Sequence, residues 1–145
     1  MRAVIQRVSQ AQVQVNGRLV GQIGAGLLVY VSVGKEDMEK DAAFMADKLV
    51  NLRIFSDAAG RMNKSVQDVG GAILVVSNFT LHGDCRKGRR PSFEAAGQAE
   101  LAQRLYEKVI SLIAACGVAV EKGVFGGHMQ VGSVNDGPVT FLLES

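Results

Sequence analysis

The sequence predicts an α+β fold on three observations. The first third alternates apolar and polar residues around an Asn-Gly turn, so it reads as an antiparallel meander. Residues 38–52 and 99–116 carry apolar side chains at helical spacing. Between them, residues 73–76 form a continuous apolar run, as in a strand buried on both faces. The 145 residues suit one domain, 1–145, with a real core.

Residues 2–8 place Val4, Gln6 and Val8 on one face and Ala3, Ile5 and Arg7 on the other. Arg7 thus shares the face of Ile5, either as a solvated edge residue or as an inward guanidinium holding backbone carbonyls. Gln10, Gln12 and Gln14 alternate with Ala11, Val13 and Val15 as a half-buried strand. Asn16 and Gly17 both tolerate positive φ, which predicts a two-residue hairpin turn. Residues 18–23 return as the partner strand. Residues 27–33 are almost wholly apolar and should be central. Glu36 and Asp37 suit a helix N-terminus. Met38, Ala42, Met45, Ala46, Leu49 and Val50 then mark the buried stripe of the first helix.

Ile54 and Phe55 read as a short strand, 56–60 as a turn and 61–64 as an irregular loop. The second helix buries Ala102, Leu105, Tyr106, Val109, Ile113 and Cys116, and Gly117 suits its C-terminal cap. Strands follow at 118–120 and 129–134. Asn135, Asp136, Gly137 and Pro138 separate the latter from a closing strand that includes Phe141.

Hydrophobic residues make up 48% and charged residues 21%, which is ordinary for a soluble globular protein. No apolar run is long enough to span a membrane. Cys85 and Cys116 form neither a metal-ligand spacing nor a disulfide framework, so a reduced, cytoplasmic setting is expected. A net charge of +2 does not by itself imply nucleic acid. Its distribution says more. Arg86, Lys87, Arg89 and Arg90 crowd a loop in which Gly83, Gly88 and Pro91 rule out regular structure. The loop leaves from the polar end of the core strand, which suggests a polyanionic ligand whose phosphates fix its position.

Beyond residues 73–76 the strand turns polar at Ser77, Asn78 and Thr80, with Phe79 between them. Ligand sites are built this way, from a few placed polar groups on rigid backbone, although the same groups also finish plain strand ends. His82, Asp84 and Cys85 lie close in sequence and suggest a Cys-dependent hydrolase. Such partners normally come from distant segments. Ser77 has no nucleophile elbow around it, and His128 reads as an exposed or structural histidine rather than a base. Two histidines and two cysteines at unrelated spacings give no ligand set, so no metal is expected; no cofactor is expected either. A non-catalytic RNA-binding module would use the basic loop, but aromatics are only 6% and Trp is absent. Pro138 is one of two prolines and falls between strands, where proline needs an edge, bend or bulge. Its X-Pro bond tolerates cis, and Gly137 before it lets backbone approach another group closely.

Together these stretches resemble the D-aminoacyl-tRNA deacylase family. Ser77, Asn78, Phe79, Thr80 and Leu81 resemble one signature motif, and Asn135 through Thr140 the other. The similarity extends to residues 1–8, 53–57 and 87–93 and to Met129, Gln130 and Val131, so it covers essentially the whole chain. The family motif usually reads Ser-Gln-Phe-Thr; Asn78 is one methylene shorter.

The resemblance implies a homodimer whose fold is a mainly antiparallel, barrel-like sheet with two packed helices. It implies hydrolysis of the ester joining a D-amino acid, or glycine, to the terminal adenosine of tRNA, with L-amino acids rejected. The Gly137–Pro138 bond would be cis and would enter the active site of the other subunit as chiral selector, beside its Ser77, Asn78, Phe79 and Thr80. Arg7 would hold the orientation of the Gly-Pro carbonyls, and Phe125 and Met129 would help form the adenosine pocket. Rigid main chain where an L side chain would project is hard to relax, because backbone cannot rotate away. The implied chemistry is substrate-assisted: the 2′-hydroxyl of the terminal ribose takes part, and main-chain amides near Phe79 and Thr80 polarise the carbonyl. Arg86, Lys87, Arg89 and Arg90 are expected to contact acceptor-stem phosphates.

Overall fold

The computed structural model describes residues 1–145. Strand β1 (Arg2–Val15) runs unbroken through the two segments read separately in the sequence. Asn16 and Gly17 turn the chain with φ of 51° and 74°. Strands β2 (Arg18–Ile23) and β3 (Gly26–Ser32) follow, and both pair antiparallel with β1. Helix α1 (Glu39–Asn51) begins later than Glu36 and Asp37 suggested. Asp37 instead accepts from the Gly34 amide and, at 2.7 Å, from the Met1 amine, tying the first residue to the exit of β3.

Strands β4 (Phe55–Ser56) and β5 (Met62–Lys64) form a small separate pair. The segment expected to be irregular is therefore partly a strand. The Asp57 carboxylate organises its turn by accepting from the amides of Ala59 and Arg61 at 2.8 and 3.0 Å. Strand β6 (Ala72–Ser77), helix α2 (Ala99–Ala115), strand β7 (Ala119–Lys122) and strand β8 (Gln130–Glu144) complete the chain. Leu105, Tyr106, Val109 and Ile113 of α2 are buried, but Cys116 lies past the helix end and is exposed. No helix is long and apolar enough to cross a membrane.

Six strands make one sheet in the order β2-β1-β3-β6-β7, with β8 on the other side of β1. Antiparallel pairing dominates around β1, as expected, while β3, β6 and β7 run parallel. Helices in the two connections carry the chain back to the same end of the sheet, which parallel pairing requires. The sheet curls until its ends meet. A Cβ on Gly21 of β2 would lie 2.8 Å from the Lys122 carbonyl oxygen of β7, so glycine permits the approach. Curling creates two cores. Leu27, Val29, Ile73 and Val75 pack with the helices, whereas Leu28, Leu74 and Val76 face Val8, Val13 and Ile23 inside the curl. Both faces of β3 and β6 are therefore buried, which is why neither strand alternates.

Strand β8 passes through Asn135, Asp136, Gly137 and Pro138 without ending, contrary to the two strands expected. Two steps along β1, from Gln6 to Val8, are matched by five along β8, from Thr140 to Asn135. The segment between bulges out of the ladder. Asn135 pins its neck, donating to Thr140 Oγ1 at 3.0 Å and accepting from the Val139 amide at 2.8 Å. The Gly137–Pro138 bond is cis, and Gly137 has φ of +147°, a region that favours glycine. A second irregularity, between Val8 and Gln10 of β1, resets the alternation, so that Ala11 and Val13 join Val8 on the inner face.

Candidate active site

Because β3 and β6 are parallel, their carboxyl ends lie side by side. Ligands of such sheets gather at those ends. Here they open onto a cavity of about 610 Å³. Tyr30, Val31, Ser32 and Val33 come from β3 and its exit, and Val76 and Ser77 from β6. Asn78, Phe79 and Thr80 continue the wall, Ala96, Gly97, Ala99, Ala102 and Tyr106 add the approach to α2, and Phe125, Gly126, Gly127, His128, Met129 and Val131 close it.

The polar stretch after β6 is not a strand extension. Phe79–His82 is a one-turn 3-10 helix. Asn78 makes the last ladder bond, its amide donating to the Val31 carbonyl at 2.8 Å, and its side chain then caps the turn by accepting from the Thr80 amide at 3.2 Å. A capping Asn at a strand end diverts the backbone in this way. Phe79 is 60% exposed and meets Phe93 edge-on, with centroids 5.1 Å apart.

Tyr106 donates to the Val75 carbonyl at 2.8 Å, and burial holds its phenol well above the usual range. Its ring packs against Phe125 at 5.7 Å. Met129 sits against Gly123, where a Cβ would lie only 2.5 Å from the Met129 sulfur. The lining includes the aliphatic hydroxyls of Ser32, Ser77 and Thr80 and one imidazole, His128, but no carboxylate, cationic side chain or thiol. Such a site can position an ester and polarise its carbonyl; the one lining hydroxyl hydrogen-bonded to an imidazole, Ser32 beside His82, is itself only 2% exposed.

Six of the residues singled out in the sequence, Ser77, Asn78, Phe79, Thr80, Phe125 and Met129, meet in this cavity. The others lie elsewhere. Gly137 and Pro138 are exposed on the bulge of β8 and do not line it. Arg7 is inward, its side chain 12% exposed. Its Nη1 donates to the Ile54 carbonyl at 2.7 Å and its Nε to the Asp136 carbonyl at 3.0 Å. The carbonyls it holds are thus those of Ile54 and Asp136, not those of Gly137 and Pro138.

Asp84 and Ser92 close the basic loop with paired backbone bonds of 2.8 and 3.0 Å. Arg86 turns back on Asp84 in a two-pronged pair at 2.9 and 2.7 Å, which holds that carboxyl well below the usual carboxylate range. Lys87, Arg89 and Arg90 enter no ion pair. The Cys-dependent alternative fails on this geometry: Cys85 is exposed outside the cavity, Asp84 is held by Arg86, and His82 is buried against Ser32. Tyr30, Ala102, Tyr106 and His128 were not foreseen as lining. Ala102 and Tyr106 fit the apolar stripe of α2, so no sequence signal separates them from core.

The family model of D-Tyr-tRNA(Tyr) deacylase matches residues 4–144. The chain belongs to the D-aminoacyl-tRNA deacylase family. It is an enzyme of a hydrolase family. The D-aminoacyl-tRNA deacylases of Desulfitobacterium hafniense (strain DSM 10664 / DCB-2), Anaeromyxobacter dehalogenans and Thermotoga petrophila are 56%, 57% and 54% identical to it. Each alignment covers the whole chain and 97% of the relative. The solved structure of a c-Myc DNA Unwinding Element Binding Protein has a TM-score of 0.94 at 40% identity, covering 100% of this chain and 99% of that one. A probable eukaryotic D-amino acid tRNA deacylase shares the fold, with a TM-score of 0.85 at 19% identity over 99% of this chain and 98% of that one.

Proposed function

We propose that this deacylase hydrolyses the ester between a D-amino acid and the terminal adenosine of tRNA, accepts glycine on the same site and rejects L-aminoacyl-tRNA. The observation that carries the reading is the cavity at the ends of β3 and β6. It gathers Ser77, Asn78, Phe79 and Thr80 with Phe125 and Met129 from a segment more than forty residues away in sequence. An aminoacyl ester is already activated, so positioning and carbonyl polarisation suffice. The main-chain amide of Phe79, at the start of the Phe79–Thr80 turn, polarises the carbonyl while the Thr80 amide holds the turn through Asn78, and the ribose 2′-hydroxyl assists. A lining without carboxylate or thiol favours this over side-chain catalysis.

The chiral selector is Gly137 with Pro138, held through Asp136 by Arg7 and acting on the cavity of a second copy. Its exposure, and its absence from the lining of its own cavity, support action in trans within a homodimer. Glycine has no side chain to exclude and passes the filter. Lys87, Arg89 and Arg90 steer tRNA phosphates, in the cytoplasm, where two free cysteines are compatible with a reduced setting.

Subunit mixing tests the arrangement. One variant has its cavity filled by Ala102→Trp; the other carries Gly137→Ala with Pro138→Ala. Each homodimer is expected to be inactive or unselective, and the mixture to regain one selective site per heterodimer. A mixture no better than its parents contradicts action in trans. An enzyme active on D-aminoacyl-tRNA but not on glycyl-tRNA contradicts the steric filter.

A further inference from the structure

Beside the Phe79 carbonyl lies a buried hydroxyl that the reaction above does not use. Ser32 is 2% exposed, and its Oγ lies 2.5 Å from His82 Nδ1 and 3.5 Å from the Phe79 carbonyl oxygen. His82 is 8% exposed and ends the turn that Phe79 begins. One hydroxyl has one proton to give. If Ser32 gives it to His82, the Phe79 carbonyl loses this partner. If His82 donates from Nδ1, the Ser32 proton is free for Phe79 and both acceptors are served. Buried polar groups favour the arrangement that leaves fewest unpaired.

We propose that His82 and Ser32 are a positioning pair: His82 Nδ1–H donates to Ser32 Oγ, and Ser32 O–H donates to the Phe79 carbonyl, fixing the turn that presents the Phe79–Thr80 main chain to the ester. The inference rests on the reading of that turn as the catalytic one. The charged groups facing His82 are Arg2 of β1, Asp37 and the Met1 amine at the exit of β3, and Glu144 at the end of β8. Burial first, and Arg2 second, hold the ring below its ordinary value of 6.5, so it is neutral at pH 7. Protonation at Nε2 places a second cation beside Arg2 in a desolvated place. The ring then leaves, and Ser32 and the turn are released. Activity accordingly falls along an acidic limb below pH 6.5.

Nitrogen-resolved NMR of the histidines reads the tautomer directly. A protonated Nδ1 and bare Nε2 on His82 at neutral pH are expected; the reverse tautomer overturns the pair. Single-turnover deacylation of D-tyrosyl-tRNA reads its use. Ser32→Ala, checked for folding by circular dichroism, is expected to lower kcat about tenfold with KM little changed. Ser32→Thr, which keeps the hydroxyl, is expected to restore most of the rate, and His82→Gln to abolish the acidic limb. An unchanged kcat in Ser32→Ala, or the same limb in His82→Gln, overturns the role. If Ala102→Trp keeps the full rate, the chemistry is elsewhere; the site reading fails, and the pair's role falls with it whatever the tautomer.

Discussion

Asn78 Oδ1 accepts from the Thr80 hydroxyl at 2.6 Å and from the Thr80 amide at 3.2 Å. The hydroxyl proton of Thr80 is thus committed to a neighbouring carboxamide, which is not a base. A hydroxyl nucleophile needs a group to take its proton. Thr80→Ala is therefore expected to keep activity within about tenfold of the parent. Single-turnover rates on D-tyrosyl-tRNA check this. Complete loss, with fold and tRNA binding intact, would restore Thr80 as nucleophile.

The four cations of the basic loop are not equivalent. Arg86 is paired with Asp84, and Lys87, Arg89 and Arg90 are free. Removing Lys87, Arg89 or Arg90 is expected to lower the slope of log affinity for tRNA against log salt by about one each. The double change Asp84→Asn with Arg86→Gln removes a neutral pair and should leave the slope unchanged. Salt titrations of tRNA binding separate the two behaviours; a lowered slope in the double variant would put Arg86 among the phosphate contacts.

Met129 lines the cavity because Gly123 leaves room for its sulfur. Gly123→Ala places a methyl 2.5 Å from that sulfur. The thioether is flexible, so the fold should survive with a small change in Tm. Its displacement should raise KM for aminoacyl-tRNA more than it lowers kcat. A variant with both constants unchanged would remove Met129 from the adenosine pocket.

The depressed pKa of His82 has a consequence for stability as well as rate. The folded chain resists a proton that the unfolded chain takes up near pH 6.5. Stability is therefore lost as pH falls from 6.5 toward the lower folded value, and the loss levels off below it. Urea midpoints measured from pH 7.5 downward should show this fall in the parent and lack it in His82→Gln. Parallel curves would mean that His82 titrates alike in both states.

Much of the fold is legible because one requirement sets each pattern. Asn16 and Gly17 fix a hairpin locally, and residues 27–31 and 73–76 are apolar because both faces of those strands are covered. Parallel against antiparallel pairing is not written in such runs, so the direction of β6 and β7 emerges only in the sheet. Alternation within residues 2–8 places Val8 as the sheet does but does not carry on to Ala11 and Val13, because an irregularity between Val8 and Gln10 resets the period. In the site, the polar residues after β6 and the Gly-Pro bulge announce themselves by breaking their surroundings. Ala102 and Tyr106 do not, since a residue lining a cavity and one filling a core follow the same helical spacing. The Arg86–Asp84 pair and the burial of His82 depend on how a glycine-rich loop folds back, which composition leaves open.

The most direct test compares deacylation of D-tyrosyl-tRNA and L-tyrosyl-tRNA by the purified protein without added metal. The account predicts rapid loss of the D ester alone. Equal loss of both would remove Gly137 and Pro138 as the selector, and loss of neither would contradict the assigned reaction itself.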